Sequence, residues 1–187
     1  MEISALVQKV RQGDVDCFEP IIRKYEQPIY RFCLFLLGDR QEAEDAAQDI
    51  FFKAYEHLDK FDPAQSFSAW LHKIAENHCR NLLKRRRRWF HLLPLFRPTE
   101  QAGSAEQVYA EKMGTELAYW FHGLSVPEKK LLFLRVVEDY SFEEIAQMME
   151  ESAPTVRKRF ERLKAKLRRK KSQREEVTGH EQRFELR

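Results

Sequence analysis

Glycine and proline are scarce in this sequence, 6 and 7 residues of 187. A turn-rich β fold needs more of both, so helices are expected. Cysteine is scarcer still. Cys17, Cys33 and Cys79 are odd in number and widely spaced. They fit buried or idle thiols of a reducing compartment and not a disulfide frame. No apolar run approaches the ~20 residues of a membrane span, and "IYRFCLFLL" is far too short. The opening "MEISALVQKVRQGD" lacks the apolar core of a signal peptide, so a cytoplasmic protein without membrane insertion is expected. The scattered glycines make no phosphate-binding loop, and the histidines make no HExxH motif and no zinc-spaced set with cysteine. No serine stands in a nucleophile elbow. No catalytic residue, metal or cofactor is therefore expected, and the chain reads as a non-enzyme.

What is present is hydrophobicity and segregated charge. Apolar residues make up 43% and aromatics 12% of the chain, ample for packed cores. The formal charge is only +3, but the sum hides two opposite blocks. Residues 157 to 171 hold ten basic side chains against Glu161 alone, a net of +9. Residues 38 to 62 hold eight acids against Arg40, Lys53 and Lys60, a net of −5. Such segregation predicts different partners for different faces.

Apolar residues recur at helical spacing along most of the chain. A first helix is predicted over 2–12, stopped by Gly13, with Asp14 as cap of the next. Pro28 suits the first turn of a third helix ending at Gly38. Asp39 followed by Glu42 resembles a capping box for a fourth helix, 40–58. Ser66 can cap a fifth, 67–88, whose apolar face includes Phe67, Trp70, Leu71 and Ile74. Trp70 could stack a base, but its place in that stripe favours the core. His78 reads as an ordinary helix-face histidine.

Composition then shifts, and a linker is predicted over 89–107, although "WFHLLPLF" within it is apolar enough to dock on something. Further helices are predicted over 108–123 and 127–138. A short one is capped by Ser141 and a last one by Ser152, followed by a polar tail, 172–187. The reading is an all-α protein: two small helical domains joined by a flexible linker, with domain boundaries at 1–88 and 108–171.

The last two helices carry the clearest chemistry. Val156, Phe160, Leu163 and Leu167 form one apolar stripe that must face protein. The rest of that helix is nearly all Arg and Lys. A two-residue connection after Met149 forces a sharp turn into it. Helix, tight turn and basic helix make a helix-turn-helix, which lays its second helix in the major groove. Its cations neutralise phosphates, and arginines reach guanine edges. A lysine suits a phosphate better than bidentate reading.

"YSFEEIAQMMEESAPTVRKRFERLKAKLRR" resembles the C-terminal promoter-binding element of the extracytoplasmic-function sigma factors of bacterial RNA polymerase. "AEDAAQDIFFKAYEHLDKFD" is similar to that family's polymerase-docking helix, and "SFSAWLHKIAENHCRNLLKRRRR" to its −10 element. The resemblance spans roughly residues 5 to 170. It implies a factor that binds core RNA polymerase and promoter DNA and directs initiation for a specific regulon. It also implies an anti-sigma factor as a further partner. Glu44, Asp45, Gln48 and Asp49 would then dock on the polymerase. Asp62, Ala64, Gln65 and Ser66 would pocket a flipped base of the −10 element. Lys73, Asn77, Arg80, Asn81, Lys84 and Arg85 would hold that strand. Ser152, Thr155, Arg157, Lys158, Arg159 and Arg162 would meet the −35 element. The turn departs from the family pattern: Glu150 and Glu151 replace the usual Gly and aliphatic pair, and Pro154 replaces a small residue. A left-handed Glu costs more than Gly, so a re-angled turn is expected. The alternative is a stand-alone helix-turn-helix regulator with an N-terminal dimerisation or sensor module.

Overall fold

The computed structural model describes residues 2–96, 120–121 and 123–184, with side chains described for 2–88, 120–121 and 123–172. Every regular element among the described residues is helical. Helix α1, Ile3–Arg11, ends where Gly13 takes a left-handed φ of 102°. A 3₁₀ turn, Val15–Phe18, leads into α2, Glu19–Leu37, and Asp14 makes no side-chain cap. Helix α3, Arg40–Glu56, is capped by Asp39, whose carboxylate accepts from the Glu42 N–H at 2.9 Å. The Glu42 side chain does not complete a capping box; it reaches across to Arg86.

Pro28 does not start a helix. It sits inside α2. An interior proline costs ~3 kcal/mol or more. The continuous helix wins because Ile21, Ile29, Phe32, Cys33, Leu36 and Leu37 are all buried along it, and each large apolar side chain contributes ~1.5–3 kcal/mol on burial. Gly38, with φ 73°, supplies the left-handed stop.

Helices α2, α3 and α4, Phe67–Phe96, pack into the first body. Helix α4 continues past 88, through the basic run and Pro94, to Phe96. Residues 89–96 of the expected linker are thus helical, and its remainder and most of the helix expected over 108–123 lie outside the described residues. Cys33 and Cys79 meet inside this body at 3.7 Å as free thiols. Their mutual hydrogen bond and burial push the Cys33 thiol well up, so it stays protonated and unreactive.

The second body begins with α5, Val126–Leu132, which carries a full Ser125/Glu128 capping box. It continues as a π-helical turn, Phe133–Val137. Helix α6, Phe142–Met149, has its own Ser141/Glu144 capping box. Helix α7, Ala153–Phe184, extends into the stretch read as a polar tail. Val156 and Leu163 are buried, and Phe160 and Leu167 pack beside them, as the apolar stripe predicted.

The two bodies share one apolar cluster. Phe133 meets Phe32 and Phe35 at ring distances of 5.3 Å each, and Phe121 meets Phe35 at 4.6 Å. His72 lies there too, edge-on to Phe32 at 5.2 Å, with its Nδ1 unpartnered. Burial, helped by the charge of Lys130, lowers its pKa from 6.5 to about 3. The sign follows directly. The unfolded chain takes this proton near pH 6.5 and the folded chain only near 3, so folding is favoured above pH 6.5 and loses that support as pH falls. One such site removes ~1.4 kcal/mol per pH unit below 6.5. Melting the protein at pH 7.5 and 5.5 should show a drop that His72→Phe reduces, the remainder including the buried His78; equal drops in both proteins would refute this.

Candidate nucleic-acid interface

Three faces remain uncovered by the packing of their own helices. The first lies on α3. Ala43, Ala46, Ala47 and Ile50 are buried, and this turns Glu44, Asp45, Gln48 and Asp49 to solvent. Asp45 accepts only from Gln41, at 3.3 Å among the described residues. Phe52 and Tyr55 extend this face with exposed aromatic surface, a feature that periodicity alone did not single out. Beside it runs a groove of about 410 Å³ between α3 and α4, lined by Asp45, Asp49, His78, Leu82, Arg85 and Arg86 among others. His78 is mostly buried and accepts from Lys53 at Nδ1. Burial first, then Lys53, lowers its pKa and keeps it neutral, which that acceptor role requires.

The second face is the loop 62–66 and the exposed side of α4. The loop leaves and re-enters a tight aromatic knot: Phe61 to Phe67 at 5.2 Å, Phe61 to Trp70 at 5.3 Å, and Phe67 to Trp70 at 5.4 Å. Trp70 thus belongs to the core side. The Arg11 guanidinium braces the same loop from α1, donating to the carbonyls of Leu58 at 2.7 Å, Asp59 at 3.1 Å and Phe61. Within the loop, the Asp62 carboxylate accepts from the Ala64 N–H at 2.9 Å, and the Asp62 carbonyl from the Gln65 N–H at 2.9 Å. Ser66 Oγ accepts from Ala69 at 3.4 Å and starts α4. Asp62, Ala64, Gln65 and Ser66 are all exposed.

Lys73, Asn77, Arg80, Asn81 and Lys84 share one face of α4 by their spacing of 3 and 4, and Arg85 lies off it. Asn77, Asn81 and Lys84 are exposed together. Lys73 is held by Glu150 of the second body at 3.1 Å, Arg80 is tied to Glu76, and Arg85 turns toward the groove beside α3.

The third face is the start of α7. Glu150 adopts φ 56° and ψ 41°, so the turn keeps its left-handed residue instead of being re-angled. The Glu151 N–H closes onto the Ala146 carbonyl at 3.0 Å, a helix end of the Schellman type. Ser152 caps Thr155 at 3.4 Å, and Pro154 is accommodated in the first helical turn. Arg157 is drawn back to Glu143 at 2.6 Å, over the Phe142 ring, and Arg159 to Glu151 at 2.6 Å. Thr155, Lys158 and Arg162, spaced 3 and 4, present one exposed face, and no described residue pairs with Lys158 or Arg162.

A basic recognition helix in a capped helix-turn-helix, joined to a helical body bearing an acidic face, defines a two-domain DNA-binding transcription factor. Residues 21–89 match the Sigma-70 region 2 family and residues 122–167 the Sigma-70, region 4 family. The chain is 30% identical over 179 residues to the ECF RNA polymerase sigma factor SigW of Bacillus subtilis (strain 168), covering 90% of this chain and 96% of that protein. It is 31% identical over 175 residues to the RNA polymerase sigma-H factor of Pseudomonas aeruginosa, covering 85% and 88%. The chain therefore belongs to the extracytoplasmic-function sigma factors, which sets aside the stand-alone regulator.

Two solved structures share the fold. CnrH, in complex with the cytosolic domain of CnrY, matches with a TM-score of 0.65 at 22% identity, covering 88% of this chain and 93% of that one. The sigma factor RpoE of Bartonella quintana, in complex with the anti-sigma factor NepR, matches at 0.59 with 20% identity, covering 83% and 96%. No described helix is long and apolar enough to cross a membrane.

Proposed function

We propose that the chain joins core RNA polymerase through Glu44, Asp45, Gln48 and Asp49 and captures the opened −10 strand with the 62–66 loop and Asn77, Asn81 and Lys84. Thr155, Lys158 and Arg162 then meet the −35 element. The observation that carries this reading is charge divided between bodies: an exposed acidic helix face on the first and an exposed basic recognition helix on the second. An acidic face repels DNA and suits a basic protein surface. The polymerase performs the chemistry; this chain supplies binding and strand capture. Unstacking costs a few kcal/mol per base, and a loop already braced by Arg11 and three aromatic rings spends little of its binding on becoming ordered.

An anti-sigma factor is proposed as a third partner, on the likeness to the RpoE–NepR complex. The deciding experiment is factor-dependent run-off transcription with core polymerase on a linear promoter template. A chain that binds duplex DNA but neither binds core polymerase nor directs a start would refute the reading.

The −35 roles separate by salt dependence. Lys158→Ala should weaken binding about equally across −35 sequences and lower the slope of log K against log salt by ~1, as for a phosphate contact. A change confined to one base position would instead make Lys158 a base reader.

A further inference from the structure

The positive charge of α7 does not stop with the residues assigned to the −35 element. The match to the Sigma-70, region 4 family ends at residue 167, whereas α7 runs on to Phe184. Between residues 163 and 171 the helix adds Lys164, Lys166, Arg168, Arg169, Lys170 and Lys171.

Their surroundings sort these cations. Lys166 turns inward, to Glu128 at 3.0 Å and the Gly123 carbonyl at 2.8 Å. Lys164 pairs with Glu161 at 2.7 Å. Arg168 and Arg169 are exposed, and no described residue pairs with either side chain.

The apolar seam sets where these two arginines point. Val156, Phe160, Leu163 and Leu167 fix the inner side of α7, and Leu167 packs against the cluster of Phe121, Leu124 and Leu163. Successive residues turn by ~100°, so Thr155, Lys158, Arg162 and Arg169 fall on one outer stripe, with Arg168 on its flank. Arg169 lies ~10 Å beyond Arg162 along the axis.

We propose that Arg168 and Arg169 form a further DNA contact, gripping backbone phosphates just outside the −35 element. The first turns of α7 meet the element, and a later turn holds a bounding strand. This rests on the assignment of α7 to the −35 element.

Groove geometry leads the helix there. The major groove is only ~12 Å wide. A straight helix that enters it at one end crosses a bounding strand within a few further turns. The C-terminal end of a recognition helix makes such backbone contacts in other DNA-binding folds. Contacts of this kind fix register and add affinity without reading sequence.

The local charge pattern suits a polyanion. Lys164 and Arg168 stand one turn apart, a spacing at which like charges weaken a helix. A phosphate strand relieves that repulsion and releases its own counterions. An acidic protein surface has the right sign too, but the residues ahead of this turn already lay DNA along the same stripe.

The test uses holoenzyme, the full chain with core polymerase, on a promoter fragment that supports run-off. Arg168→Ala with Arg169→Ala should weaken binding by roughly 10-fold or more and lower the slope of log K against log salt by ~1–2, the share of two phosphates. The loss should be equal for altered −35 sequences. Arg168→Lys with Arg169→Lys should restore most of it, because a lysine holds a phosphate well, and this separates lost contact from misfolding. On DNA with uncharged methylphosphonate linkages flanking the −35 element on both sides, native and alanine proteins should bind alike. Native-like binding by the alanine protein would overturn the contact. So would a defect that persists on the uncharged flanks, that follows one base position, or that lies in affinity for core polymerase. Each of these leaves run-off by the native chain, and so the assigned function, intact. Absence of run-off with the native chain would instead condemn the function and this contact with it.

Discussion

Reversing Asp45 and Asp49 to lysine should abolish binding to core RNA polymerase and leave the helical fold unchanged. Both residues are exposed and lie one turn apart on α3, whose other side packs through Ala43, Ala46, Ala47 and Ile50. Neither carries a contact the body depends on. Asp45 accepts from Gln41 on its own helix, and Asp49 lies 3.6 Å from a neutral His78. Removing one buried, hydrogen-bonded interface charge costs ~2–5 kcal/mol, and reversal adds repulsion. The pair should therefore lower polymerase affinity by roughly a hundredfold or more. Fluorescence anisotropy with labelled core polymerase measures this, and circular dichroism checks the fold. Unchanged affinity would remove the docking face from α3.

Changing Gln65 and Asn77 to alanine should leave closed-complex binding nearly intact and suppress open complexes. Both side chains are exposed amides, suited to adenine edges, and each bidentate contact is worth ~1–3 kcal/mol. Lost together, they should reduce the open fraction by roughly 30-fold or more. The backbone of the loop should not move, since its bonds run from Asp62 to Ala64 and Gln65 through main-chain N–H groups. Permanganate reactivity of unpaired thymines reports melting directly. Normal reactivity in the double variant would sink the capture role.

Local signals were largely legible in the sequence. Asp39, Ser66, Ser141 and Ser152 each cap the helix expected of them, because a cap is written in four consecutive residues. The stripe Val156, Phe160, Leu163 and Leu167 is buried or partly buried as its spacing required. Trp70 went to the core side for the same reason.

What was not legible depends on distant partners. Pro28 looks like a helix start, and only the burial around it shows why α2 runs through. Lys129 and Lys130 are both buried despite their charge. Lys130 meets Glu76, a partner that no periodicity connects to it. Burial, and then the charges of Arg87 and Arg86, lower the Lys129 pKa to about 8. The sequence shows the cost of a left-handed Glu150 to its own turn, and only the structure shows its ion pair with Lys73 of the first body.

The reach of Arg11 has a further consequence. The three carbonyls it collects lie immediately ahead of the 62–66 loop. The first helix thus sets the footing of the loop proposed to catch the melted strand. If that loop catches the strand, variation near the amino end would tune how readily a transcription bubble opens, with no change to the promoter letters preferred.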